Sequence, residues 1–128
     1  LVRGAMARSS SIEAGIPDHL SRFIRTDAES IFLSVLPQTH QPIADSILLI
    51  LFAHLSMKNA KVVGGRELLQ GLKKSGVQID RTDRALGNYL GGSHALVVKM
   101  GVRRGVTYKL TERGISKAKE VAKSLTEV

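Results

Sequence analysis

Residues 79–90 read IDRTDRALGNYL, and the segments on either side of this short run decide the fold. Ala85, Leu86, Tyr89 and Leu90 recur at the spacing of one helical face. Arg81, Arg84 and Asn88 fall on the opposite face. Asp80 or Thr82 is suited to cap the start, because a short side-chain oxygen accepts from the free N–H groups of a first turn. Upstream, RELLQGLKKSG (66–76) reads as a second amphipathic helix. Leu68, Leu69 and Leu72 form its inner side, Lys73 and Lys74 sit at the negative end of its dipole, and Gly76 closes it. VQI is a short link between the two helices. Downstream, ALVVKM and VTYKL are β-branched runs joined by the glycine-bounded loop GVRRG. The order is helix, turn, helix, then a hairpin with a basic tip. Gly87 interrupts the third segment; glycine inside a helix costs about 1 kcal/mol relative to alanine. Its presence predicts either a close backbone approach or a weak helix.

Working outward, residues 1–15 are small and polar without periodicity, and are expected to be a disordered tail or an expression remnant. Residues 16–42 are expected to form an N-terminal helical extension. Pro17 suits a first helical position, and Leu20, Phe23 and Ile24 make one stripe. Ile31, Phe32, Val35 and Leu36 make another, and the intervening Thr26 and Glu29 have capping-box spacing. Pro37 ends this region. Ile43 to Met57 is the most apolar segment and leaves almost no polar face. A helix apolar all round is buried on most sides, so either the N-terminal helices or a second copy of the chain must cover it. The second option predicts a homodimer. KVV ahead of Gly64-Gly65 has the character of a short strand. At the other end, Thr111 opens a last helix with Ile115, Ala118, Val121, Ala122 and Leu125 on one face.

The 128 residues suffice for one domain with a real core. There is no cysteine, which removes disulfides, thiolate chemistry and cysteine-based zinc sites and fits a cytoplasmic protein. The longest apolar run, Ile47 to Ala53, is too short to cross a bilayer, and no apolar core follows the arginines of the N-terminus as in a secretory signal. The net charge is +8, and it is unevenly placed. Residues 1–57 carry four Arg/Lys against five Asp/Glu; residues 58–128 carry fifteen against six. A concentrated basic field attracts polyanions, of which nucleic acid is the commonest.

The run YKLTERGISKAKEVAKSL (108–125) resembles the end of many bacterial and archaeal winged-helix DNA-binding domains. There the last wing strand passes through a Y-x-L-T-x-x-G segment into a C-terminal helix. RELLQGLKKSGVQIDRTDRALGNYL likewise resembles the second and third helices of that superfamily, and the resemblance covers about residues 43–125. It implies an α+β fold, mostly α: a winged helix-turn-helix at 43–128 with extra N-terminal helices. It also makes the Asp80–Leu90 segment the recognition helix, with Arg81 and Arg84 set for guanine, Asn88 for adenine, and Thr82 for a phosphate or a thymine methyl. Arg103 and Arg104 at the wing tip suit a narrow minor groove. Lys58, Lys61, Lys73, Lys74, Lys99 and Lys109 are candidate phosphate partners, which supply salt-dependent affinity without sequence information. Ser93 and His94 stand next to the recognition segment as further candidates. Asp80 and Asp83 are the acidic neighbours with which the arginines would otherwise pair.

No catalytic constellation stands out. His19, His40, His54 and His94 lack metal-ligand spacing, and there is no nucleophile motif, phosphate loop or carboxylate pair beside a histidine. The chain is therefore expected to be no enzyme and to need no metal or cofactor. With five aromatic residues, a stacking platform for single strands is not expected, and duplex DNA is the better polyanion. The expected function is double-stranded DNA binding, as a transcriptional regulator or the DNA-binding module of a larger system. The alternative is a winged-helix protein–protein interaction module, docking through the N-terminal helices and the apolar Ile43–Met57 segment.

Overall fold

The computed structural model of the chain describes residues 23–27, 30–91, 94–101 and 105–126. Over these residues it is an α+β structure with four helices and two small antiparallel sheets. Among the described residues, strands β1 (Ile24–Asp27) and β2 (Ser30–Leu33) come first, then helix α1 (Pro42–Lys58). Strand β3 (Val63–Gly64) leads into α2 (Gly65–Lys74), and α3 (Thr82–Leu86) follows. A 3-10 turn covers Gly87–Leu90. Strands β4 (Val97–Met100) and β5 (Thr107–Leu110) lead to α4 (Glu112–Thr126). The second sheet has the order β3-β5-β4, with Val63 opposite Tyr108 and Lys99 opposite Tyr108 on its other side.

Helix α1 is the centre of the molecule. Residues 44–54 are buried without a break, and β2, β5, α2, α3 and α4 all pack on it. The chain itself therefore covers the helix. The observation that suggested a homodimer is met within one copy, and the apolar side chains α1 leaves exposed are Ile43 and Met57, near its two ends.

The N-terminal expectation is corrected over the described residues. Ile24–Asp27 and Ser30–Leu33 pair as antiparallel strands, with Ile24 opposite Leu33 and Asp27 opposite Ser30, where helix was expected; residues 1–22, 28 and 29 lie outside the described residues. The reason is tertiary. Ile31 and Leu33, two positions apart, share a face of β2 that packs on α1 and α2, and Phe23 and Ile24 join them in the core. The strand pair is also stitched to α2. The Leu33 N–H donates to Ser75 Oγ at 2.8 Å, and that hydroxyl donates to the Gly71 carbonyl at 2.7 Å. A Cβ on Gly71 would lie 2.4 Å from the Ile31 carbonyl oxygen, so only glycine admits β2 this close.

The Y-x-L-T-x-x-G run has a local physical explanation. Tyr108 is buried against Gly65. Thr111 caps α4 by accepting from the Gly114 N–H at 3.0 Å, and its hydroxyl donates to the Ala95 carbonyl at 2.8 Å. A Cβ on Gly114 would stand 2.0 Å from the Leu96 carbonyl oxygen. The motif thus welds the sheet to the last helix.

Candidate nucleic-acid interface

Helix α2 ends as its sequence suggests. Gly76 takes φ +92°, its N–H donates to the Lys73 carbonyl, and the Val77 N–H reaches back to Leu72 at 2.8 Å. These are the paired bonds of a glycine C-cap that turns the chain sharply. The turn delivers Val77, Ile79 and then α3 and the 3-10 turn after it, whose inner side chains Ala85, Leu86, Tyr89 and Leu90 pack on the core.

Helix α3 is shorter than its expected span. It stops at Leu86, because Gly87 adopts φ +50°, ψ −118°. No atom stands within 4 Å of a Cβ built there, so the glycine serves backbone conformation and not close packing. Neither Asp80 nor Thr82 caps the helix through its side chain. Thr82 is 4% exposed and its Oγ1 is buried without a partner, so the hydroxyl does not face solvent, as contact with a phosphate or a base would require. Burial wins here because Thr82 begins the inner face that continues at Leu86.

Asp45 holds the far end of this segment. It is 1% exposed in the first turn of α1, where the helix dipole favours an acid. Tyr89 Oη donates to its Oδ1 at 2.6 Å, and Thr39 Oγ1 donates to its Oδ2. Burial first, then the bond to Asp45 and its charge, push the Tyr89 phenol well above its usual range.

Between α2, α3 and the β4–β5 hairpin lies a cleft of about 430 Å³, with Arg66, Arg81, Asp83 and Lys99 on its walls and the buried Tyr108 among its lining residues. Asp83 organises it. Arg81 donates to Asp83 through Nη2 at 2.6 Å and Nε at 3.1 Å, and Lys99 Nζ donates at 3.0 Å. The Arg84 backbone N–H adds a bond at 2.9 Å. Bonds from Arg81, then from Lys99, hold the Asp83 carboxyl well below the usual carboxylate range, and Asp83 in turn raises Arg81. Burial, followed by the Asp83 charge, pushes the Tyr108 phenol up.

The structure gathers some of the candidate residues and disperses others. Arg81 and Lys99 share the cleft, and Arg84 is exposed on α3. Lys61 and Lys109 border a separate apolar cavity of about 150 Å³ beside Leu51, Leu55 and Ile115. Lys73 borders a third concavity with Val77 and Asp80. Lys58 and Lys74 are exposed at the ends of α1 and α2, and His94 is exposed beside α4. Arg103, Arg104, Ser93 and the Asn88 side chain lie outside the described residues. Arg66 is not among the residues that the sequence singles out, and Asp83 enters there only as an acidic neighbour of the arginines, a pairing that Arg81 makes. Arg66 had a signal, as a cation in a first turn facing α3; the reach of Lys99 to Asp83 across sixteen positions had none.

Among the described residues no three His, Cys, Asp or Glu side chains group as metal ligands do, and no helix is long and apolar enough to cross a membrane. No family model, no curated protein and no solved structure matches this chain.

Proposed function

We propose that residues 43–126 form a winged helix-turn-helix that binds double-stranded DNA, as a transcriptional regulator or the DNA-binding module of a larger system. The observation that carries this reading is the cleft with Arg66, Arg81 and Lys99 on its walls, flanked by the exposed Arg84 on α3. The succession α1, β3, α2, α3, β4, β5, α4 with sheet order β3-β5-β4 supports the fold half of the reading. In it, α3 is the major-groove element and the β4–β5 hairpin the wing. Arg84 and Asn88 are the base-reading candidates, Arg103 and Arg104 reach a minor groove, and Arg66 and the exposed lysines contact phosphates. The step from fold to regulatory role is by analogy. The competing docking-module reading rests on N-terminal helices, of which residues 24–27 and 30–33 are strands, and on α1, which the chain buries, so it is not preferred.

The test is binding of the chain to a random-sequence duplex across a salt series, beside an Arg103→Ala/Arg104→Ala variant. Each phosphate contact contributes a slope of about −0.9 in log K against log salt. A steep slope and a clear loss in the variant support the proposal. No binding at low salt refutes it.

A further inference from the structure

We propose that the cleft between α2, α3 and the β4–β5 hairpin is a phosphate subsite, in which Arg66, Arg81 and Lys99 take one phosphate of a polyanion and the Asp83 carboxylate is that phosphate's intramolecular competitor. The donors around Asp83 are those that phosphate oxygens seek: a guanidinium fork and an ammonium converging on one point. The cations are open to an incoming anion, whereas the carboxylate between them is recessed. The Arg81 and Lys99 side chains are 56% and 36% exposed, and Asp83 is 18% exposed. Arg66, on the α2 wall, makes no ion pair among the described residues. The cleft thus holds three cations against one carboxylate, and it keeps a positive excess with Asp83 in place. Its volume lies within the range of pockets that enclose small ligands or ligand fragments.

This arrangement makes Asp83 a brake on indiscriminate binding. An incoming phosphate gains Arg81 and Lys99 only by breaking bonds the protein already makes. A complex that forms nonetheless has been selected by its other contacts, which is how a repulsive element raises specificity. The identity of the polyanion as duplex DNA rests on the reading above; the competition of carboxylate with phosphate does not.

The experiment compares Asp83→Asn with Glu120→Gln, which removes the same charge from an exposed position on α4. Asparagine keeps an oxygen for the Arg84 N–H, and thermal melting of each variant checks the fold. Binding of the full chain is measured to a random-sequence duplex and to inorganic polyphosphate across salt. Asp83→Asn is expected to bind several-fold tighter than Glu120→Gln. Lys99→Ala is expected to cost at most about twofold in the wild-type background and several-fold beside Asp83→Asn, where the ammonium is released. Equal affinity for Asp83→Asn and Glu120→Gln, or an equal cost of Lys99→Ala in both backgrounds, overturns the proposal. If the gain is seen on polyphosphate while no variant binds duplex, the subsite stands and the DNA reading falls.

Discussion

Tyr89→Phe isolates the bond that anchors the end of the α3 segment. Phenylalanine keeps the ring and its packing and removes only the hydroxyl that donates to Asp45 at 2.6 Å. Asp45 is 1% exposed, so water cannot replace that donor without opening the structure, and Thr39 remains its sole side-chain donor among the described residues. A hydrogen bond to a charged group contributes about 1.5–3 kcal/mol. With a urea m-value of about 1–3 kcal/mol per molar, the midpoint at pH 7 falls by roughly 1 M. The alkaline limb gives a second readout. The folded phenol titrates above its unfolded value of 10.0, so its contribution is complete below that pH and is lost as pH rises beyond it. Tyr89→Phe therefore shows a shallower loss above pH 10, with Tyr108, also raised, supplying the remainder. A double cycle with Asp45→Asn must be non-additive. A variant within about 0.5 kcal/mol of wild type, the range of ordinary surface changes, refutes the reasoning, as does additivity in the cycle.

Three further outcomes are expected. Gly114→Ala drives a methyl to 2.0 Å from the Leu96 carbonyl and is expected to cost at least the 1–3 kcal/mol typical of overpacking, read by urea denaturation. Thr82→Val replaces a buried, unpartnered hydroxyl with a methyl of similar volume and is expected to raise stability, by up to about 1–3 kcal/mol, in the same assay. His54, 2% exposed, is held below its usual 6.5 by burial and then by Lys58, with Glu67 opposing. The unfolded chain takes up the proton first as pH falls below 6.5, so stability declines on acidification until the folded value is reached; His54→Leu is expected to flatten that decline in denaturation series between pH 7 and 5.

Much of the candidate site was legible because its signals are local. The glycine cap after Lys74, the inner stripe of the α3 segment and the strand-forming runs on either side of GVRRG are written within a few residues of one another, and each appears close to its expected place. Thr82 stands three and four positions before Ala85 and Leu86, so its burial follows from the same inner stripe, and the contact role that the resemblance implies for it does not hold. Arg81 is exposed as expected, but its partner Asp83 is shared with a lysine from a strand, and no spacing rule foretells that sharing.

Taken alone, the sequence determined α1 from its long apolar run, α2, α4 and the β4 and β5 strands from their periodicity and end signals, and the concentration of positive charge after residue 57. Tertiary structure decided the cases where local preference is divided. The apolar residues of Ile24–Asp27 and Ser30–Leu33 fit helix and strand alike, and the need to cover α1 and to meet α2 at Gly71 selects the paired strands. The helix at 79–90 is cut at Gly87, where the sequence leaves open a close backbone approach or a weak helix and the fold takes a backbone angle that glycine permits. The cleft exists because α2, α3 and a strand from the hairpin bring Arg66, Arg81, Asp83 and Lys99 together. Charge density is a property of composition, whereas the pairing of those charges follows from distances that only the folded chain sets.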